Sequence, residues 1–273
     1  SAGAHELARG HFQAAAELLG EGGWSAVYPL ALAVHLGLAD ALRLAGDVAG
    51  AQALAATVDA HARTALDRVG VHGLRAQMLV NELKVAEAAR SVLATAADLG
   101  HAVPVPASMA DLQARVGATM GRVMGLGPEG VQALPAATDP SVRAASQVLG
   151  TGLPALAMGL REMHPTAALL AVDLTLSHGV APGSATAFSH LGIMLCAAGQ
   201  YDAGWLMGQI SEALRRRDVP QGLTGGLVEF LAFIHHWKQP FTQTAHELAA
   251  GARRALELGD PNTYGYCANT RYM

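Results

Sequence analysis

Cysteine is almost missing from this chain of 273 residues, with Cys196 and Cys267 its two thiols. They lie far apart, in helical patterns and without metal-type spacing, which excludes a disulfide framework and a cysteine-built metal cluster. Buried thiols in a reducing, cytoplasmic compartment are expected. Aromatic residues make up 5% and charged residues 15% of the sequence. A chain so poor in aromatics, and dominated by alanine and leucine, favours packed helices over strands. Charge of either sign is scarce as well, and the net value is −4. The one basic run, Arg215-Arg216-Arg217, falls at an expected helix end, where cations suit the helix dipole. A nucleic-acid partner is not implied.

Uninterrupted apolar runs of the roughly 18 residues that a membrane span requires are also wanting. His35, Asp40, His190 and the pair His235-His236 break the greasiest stretches. No charged segment precedes an apolar one, as a signal peptide would require. The opening small-residue dipeptide, without an initiator methionine, suggests a segment of something longer. Catalytic signatures are lacking too: there is no glycine loop ending in Lys-Ser or Lys-Thr, no kinase catalytic loop and no histidine-kinase motif. Twelve histidines are present, but His235 and His236 point about 100° apart on a helix and cannot share one ion. His35, His72 and His190 stand alone on their helices. No metal, no cofactor and no catalytic residue is expected.

What remains is hydrophobic: 51% of the residues, enough for a large core. Apolar residues recur at helical spacing in short segments closed by glycine or proline. Expected helices run from about His5 to Leu19, Ala26 to Ala45, Val48 to Ala62, Thr64 to Asn81 and Lys84 to Ala97. Others run from about Ser141 to Leu160, Pro165 to Ser177, Ser184 to Ala198, Tyr201 to Arg216, Gly222 to Trp237 and Phe241 to Leu258. Thr64 with Asp67 reads as an acidic capping box, and Asp139 with Pro140 as an N-cap followed by a first-turn proline. The chain divides into N-terminal helical repeats (1–103), an irregular connector with a short helix (104–140) and C-terminal repeats (141–273). Together these read as one continuous solenoid truncated at its C-terminal end.

The repeat is visible in Leu191, Gly192, Leu195, Gly199, Tyr201 and Gly204, which match the spacing of a tetratricopeptide unit. Small residues at Gly192 and Gly204 let paired helices approach, while Leu191, Leu195 and Tyr201 fill the space between them. Leu38, Ala39, Leu42, Gly46, Val48 and Ala51 occupy the same slots, and Ala76, Leu79, Val85 and Ala88 repeat them 37 residues on. The expected fold is all-α: a tetratricopeptide-like superhelix of stacked antiparallel hairpins. A non-repeating bundle of hairpins is the alternative. The template puts Asp40, Arg43, Gln77 and Ser189 on the concave face as candidate binding residues.

Nearly the whole chain resembles the helical region of large bacterial multidomain signalling proteins. The resemblance rests on the strings Ala39 to Ala51 (ADALRLAGDVAGA), Leu134 to Pro140 (LPAATDP), Leu174 to Gly179 (LTLSHG) and His190 to Gly204 (HLGIMLCAAGQYDAG). Trp237 to Pro240, followed by Gly259-Asp260, adds to it. In that family a kinase-like domain and an AAA-type ATPase precede the segment, and a GAF domain and often a histidine kinase follow. The resemblance implies a non-catalytic arm for protein interaction and signal relay, with a protein, a peptide or a neighbouring domain as its partner. Exposed repeat ends would also permit a homodimer. The competing function is a small-molecule sensor, which requires an enclosed apolar pocket, for example near Trp205 or Trp237.

Overall fold

The computed structural model describes residues 2–217, 226–258 and 260–271; among them it is almost wholly helical and contains no strand. A lone parallel bridge joins Ala136 and Val180. The N-terminal part comprises α1 (Ala2–Leu19), the single turn α2 (Gly23–Ala26), α3 (Tyr28–Leu44) and α4 (Val48–His61). Then come α5 (Ala65–Asn81), α6 (Val85–Asp98), α7 (Met109–Ala133), α8 (Pro140–Gly159) and α9 (His164–His178). The last part holds α10 (Ser184–Ala197), α11 (Tyr201–Arg217), α12 (Leu227–Phe233), a 3-10 turn (His235–Trp237), α13 (Phe241–Glu257) and α14 (Pro261–Thr270). No helix among the described residues is long and apolar enough to cross a membrane.

Helix starts follow the sequence chemistry. The Thr64 hydroxyl accepts from the Asp67 N–H, and the Asp67 carboxylate accepts from the Thr64 N–H, forming the expected capping box. Asp139 accepts from the N–H groups of Ser141 and Val142 at the head of α8, with Pro140 in the first turn.

The hairpin turns repeat as well. Gly46 has φ 87°, and the next N–H, on Asp47, donates to the Leu42 carbonyl at 2.9 Å. Gly199 has φ 77°, and the Gln200 N–H donates to Leu195 at 2.8 Å. The corresponding position between α5 and α6 is Leu83, with φ 61°, where the Lys84 N–H donates to Leu79 at 2.8 Å. All three are Schellman closures, which need a left-handed residue after the helix. Leu42, Leu79 and Leu195 accept the same hydrogen bond in these three turns, and Ala96 accepts it from His101 after Gly100 (φ 86°).

With α2 and α7 set aside, successive helices pack against one another, α6 on α8 included, and a second set of contacts joins every other helix of that row: α3 with α5, α5 with α8, α8 with α10, α10 with α12 and α12 with α14. The largest apolar cluster runs from α6 to α11 around Leu149, Leu153, Phe188, Leu191 and Met207. A cluster around Trp24, Ala55, Val58 and Val71 lies on its N-terminal side, and one around Phe230, Ile234, Leu248 and Cys267 on its C-terminal side.

Two expectations need correction. Residues 104–140 are mainly helix, not an irregular connector, since α7 covers Met109–Ala133. Its glycines mask a helix that buries Thr119, Val123 and Val131, and packing outweighs their poor propensity. The helix breaks once, at Gly127 (φ 68°), and Pro128 then sits in the first turn of the following piece. The largest cluster contains residues on both sides of this stretch, so the core is continuous across the expected boundary. The helix expected from Gly222 to Trp237 is broken within its described part: α12 covers Leu227–Phe233 after a left-handed Gly226, and a 3-10 turn replaces its last turn. Gly222 itself lies outside the described residues.

Leu83 is 86% exposed, so its side chain contributes little to set against its left-handed backbone. Leu83→Gly is expected to raise stability by about 0.5–1 kcal/mol, the steric relief exceeding the entropy that glycine adds to the unfolded chain. Urea denaturation would show this as a higher midpoint with an unchanged slope. At Gly204 a Cβ would lie 2.3 Å from Cys196 Sγ and 2.9 Å from the Gly192 carbonyl. Gly204→Ala should therefore lower stability by about 1–3 kcal/mol in the same measurement.

Candidate binding groove

A groove of about 780 Å³ opens between α11 and the α12–α13 hairpin. Trp205, Gln209, Glu212 and Arg216 recur along one stripe of α11, and Gln243, Glu247, Ala250 and Arg254 along one stripe of α13. Phe230 and His235 form the base, and Gln132 closes one end from α7. Phe230 is seated by a glycine, because a Cβ on Gly208 would lie 2.4 Å from the ring. Trp205 leans on Phe230 with centroids 5.5 Å apart, and the His235 ring stands edge-on to Phe230 at 5.4 Å. His235 is held by a 2.8 Å hydrogen bond between Nδ1 and Thr244 Oγ1, and burial keeps its pKa below the usual value.

The walls are charged, and several of their charges are paired. Glu212 accepts from Arg215 Nη2 at 2.6 Å and from Arg216 Nε at 2.8 Å, and Arg254 donates to Glu257. The third member of the basic run, Arg217, reaches the carbonyls of Gln132 and Leu134 at the C-terminal end of α7. The run therefore ties α7 to α11 through carbonyls that a helix end leaves open.

Beneath the groove wall lies a buried polar cluster. His164 Nε2 and His190 Nδ1 share a hydrogen bond of 2.8 Å. The other ring nitrogen of His190, Nε2, is buried without a hydrogen-bond partner, 4.0 Å from Glu229 Oε1. Burial raises the Glu229 carboxyl, and the N–H groups of Glu229 and Gly226 pull it back. Glu229 and His164 meet opposite edges of the His190 ring, so the three do not converge on one point. Among the described residues, no group of three or more histidine, cysteine or acidic side chains is placed to hold a metal ion.

Both thiols sit among apolar neighbours. Burial raises Cys196, and burial together with Glu229 and Asp260 pushes Cys267 up to about 11. Neither has the thiolate character that a nucleophile needs.

No family model, curated protein or solved structure matches the chain. The functional reading rests on the groove and on the repeat.

The candidate residues from the sequence do not meet in one place. Asp40 and Arg43 form an ion pair one turn apart on α3 (2.7 Å), with Arg43 largely buried. Gln77 is exposed on α5 and lines a separate cavity of about 110 Å³ bordered by α6 and α8. Ser189 is not a surface residue at all. It is fully buried, 2.7 Å from Ser211 Oγ, and donates to the Gly226 carbonyl at 3.0 Å. The start of α12 covers the face on which the repeat template placed it.

Among the packing residues, Leu38, Ala39, Ala51 and Leu191 are buried, and Gly192 and Gly204 make the close helix contact. Tyr201 departs from the template: it is 39% exposed and stacks on Trp237 at 4.3 Å, outside the helix pair. Gln209, Glu212, Phe230, Gln243, Glu247 and Arg254 were missed. Apart from Phe230, which reads as an ordinary core aromatic, their signal in the sequence is a polar stripe at helical spacing on two helices, a pattern shared by any solvated face.

Burial lowers His164 to about 4 and His190 to about 3, the neighbouring His164 adding to the second shift. In the unfolded chain both titrate near 6.5. The unfolded state therefore takes up protons that the folded state refuses once the pH falls below that value. Stability should be full above about pH 7 and should decline from 6.5 towards 4, at no more than about 1.4 kcal/mol per pH unit for each imidazole. Glu229, with its raised carboxyl, works in the opposite sense. Urea midpoints at pH 7.5, 6.5 and 5.5 check the decline, and His190→Gln should flatten it.

Proposed function

We propose that this chain is a tetratricopeptide-like superhelical arm that binds a segment of a partner protein in the α11–α13 groove. The superhelix is supported by the alternate-helix contacts and by the Schellman turn that recurs at matching repeat positions. The observation that carries the binding reading is the composition of the groove. An aromatic base of Trp205, Phe230 and His235 is bordered by three glutamines, three arginines and two glutamates. Amides that both donate and accept suit a peptide backbone, and the aromatic base suits one apolar anchor. An enclosed sensor pocket would instead be walled mainly by apolar groups.

On this reading the chain is non-catalytic and cytoplasmic, and it passes a binding event to neighbouring domains of a larger bacterial signalling regulator. The resemblance of its helical strings to such arms supports that placement, as do two unpaired buried cysteines.

Random peptides displayed on phage and selected against the intact chain test the proposal. Trp205→Ala and Gln243→Ala are each expected to weaken an enriched peptide at least ten-fold by titration calorimetry, and Gln77→Ala to leave it unchanged. Selected peptides indifferent to Trp205 and Gln243 would sink the groove as the binding site.

A further inference from the structure

The groove lies at a seam. One wall, α11, places Met207, Ile210 and Leu214 in the large apolar cluster, and the other, α12 with α13, forms the C-terminal cluster, which Cys196 of α10 and Trp205 of α11 join from across the seam. Across the seam, two apolar side chains fit glycine hollows: Ile234 against Gly192 and Phe230 against Gly208. Trp205 on Phe230, Tyr201 on Trp237 and Cys196 of α10 add apolar contact, and an ion pair joins Lys238 to the exposed Asp202. Between α10 and the head of α12 the contact is polar. Ser189, 2.7 Å from Ser211 Oγ, ties down the Gly226 carbonyl at the head of α12, and Glu229 one turn later faces the unpartnered Nε2 of His190.

We propose that this seam is an acid-sensitive hinge, at which protonation of His164 and His190 releases α12, α13 and α14 from α10 and α11. While the seam is closed the two imidazoles are buried, share one hydrogen bond and have no carboxylate within hydrogen-bond distance. A first proton is a buried charge whose nearest carboxylate, Glu229, stands 4.0 Å away, and a second has no place at all, because the paired nitrogens cannot both donate to each other. Opening wets both rings and lets each take a proton.

The titratable groups facing the pair are few. His164 comes from α9, His190 from α10 and Glu229 from α12, while Cys267 of α14, Asp260 and Arg215 lie behind Glu229. Glu229 resists the acid response, since its carboxyl is protonated more readily when the seam is closed. The thiol of Cys267 stays protonated throughout this range. The two imidazoles set the sign, and opening grows as the pH falls through 6.5.

Two pH units centred on that value change the opening equilibrium by about ten-fold for each imidazole, hence by about a hundred-fold for both and less after the contribution of Glu229. Hydrogen exchange of the intact chain at pH 7.5 and 5.5, corrected for intrinsic rates, reads this directly. Amides of α12 to α14 should lose protection by about ten- to a hundred-fold, while those of α8 and α10 keep theirs. In His190→Gln the loss should shrink by about ten-fold.

Equal loss in all helices, or none in α12 to α14, overturns the proposal, as does an unchanged response in His190→Gln. Should that variant fail to fold, the wild-type histidine ring resonances decide. Titration of both rings near 6.5 with α12 to α14 still fully protected also overturns it. The effect on partner binding rests on the groove reading above; the opening does not, and exchange reports the opening alone.

Discussion

The backbone contact between α10 and α11 is the constraint from which the C-terminal half follows. A Cβ on Gly192 would lie 2.9 Å from the Gly204 carbonyl, and one on Gly204 equally close to the Gly192 carbonyl. With no side chains between them, the helices approach until main chain meets main chain, which drives Met207, Ile210 and Leu214 into the core. Helical periodicity then turns Trp205, Gln209 and Arg216 away from the core. Gly192 serves a second time by receiving Ile234, so one glycine fixes both the α10–α11 spacing and the seat of α12. The groove is the space left when α12 and α13 are placed in this way.

The legible part of the fold was the part governed by local rules. Caps at Thr64 and Asp139, glycine closures at Gly46 and Gly199, and small residues at Gly192 and Gly204 all act over a few residues, and a sequence displays them directly. The helix α7 was obscured because its glycines argue locally against helix, while the buried Val123 and Val131 that outweigh them act through contacts distant in sequence. Leu83 hides the second hairpin turn for the opposite reason: the backbone adopts the glycine conformation without the glycine.

The candidate site was less legible than the fold. A repeat template assigns faces by position, and it assumes that the next repeat begins in register. Here α12 begins late, after Gly226, and its first turn lies across Ser189. The same displacement creates the groove from residues that single-helix patterns treat as solvated. His190 shows the limit from another side: it stands alone on α10, with no sequence neighbour to suggest a partner, and only the fold brings His164 and Glu229 to its two edges.

The position of α7 has a mechanical consequence. It stands outside the row of alternate helices, lies against α9 and α11, and is fastened to the latter through Arg217. In the proposed superhelix, a row of stacked hairpins flexes like a spring, each interface giving a little. A strut laid across α9 and α11 removes that compliance from the middle of the spring and leaves it at the ends. Strain applied to one end will accordingly be taken up there, or carried through the braced segment as rotation of a rigid block.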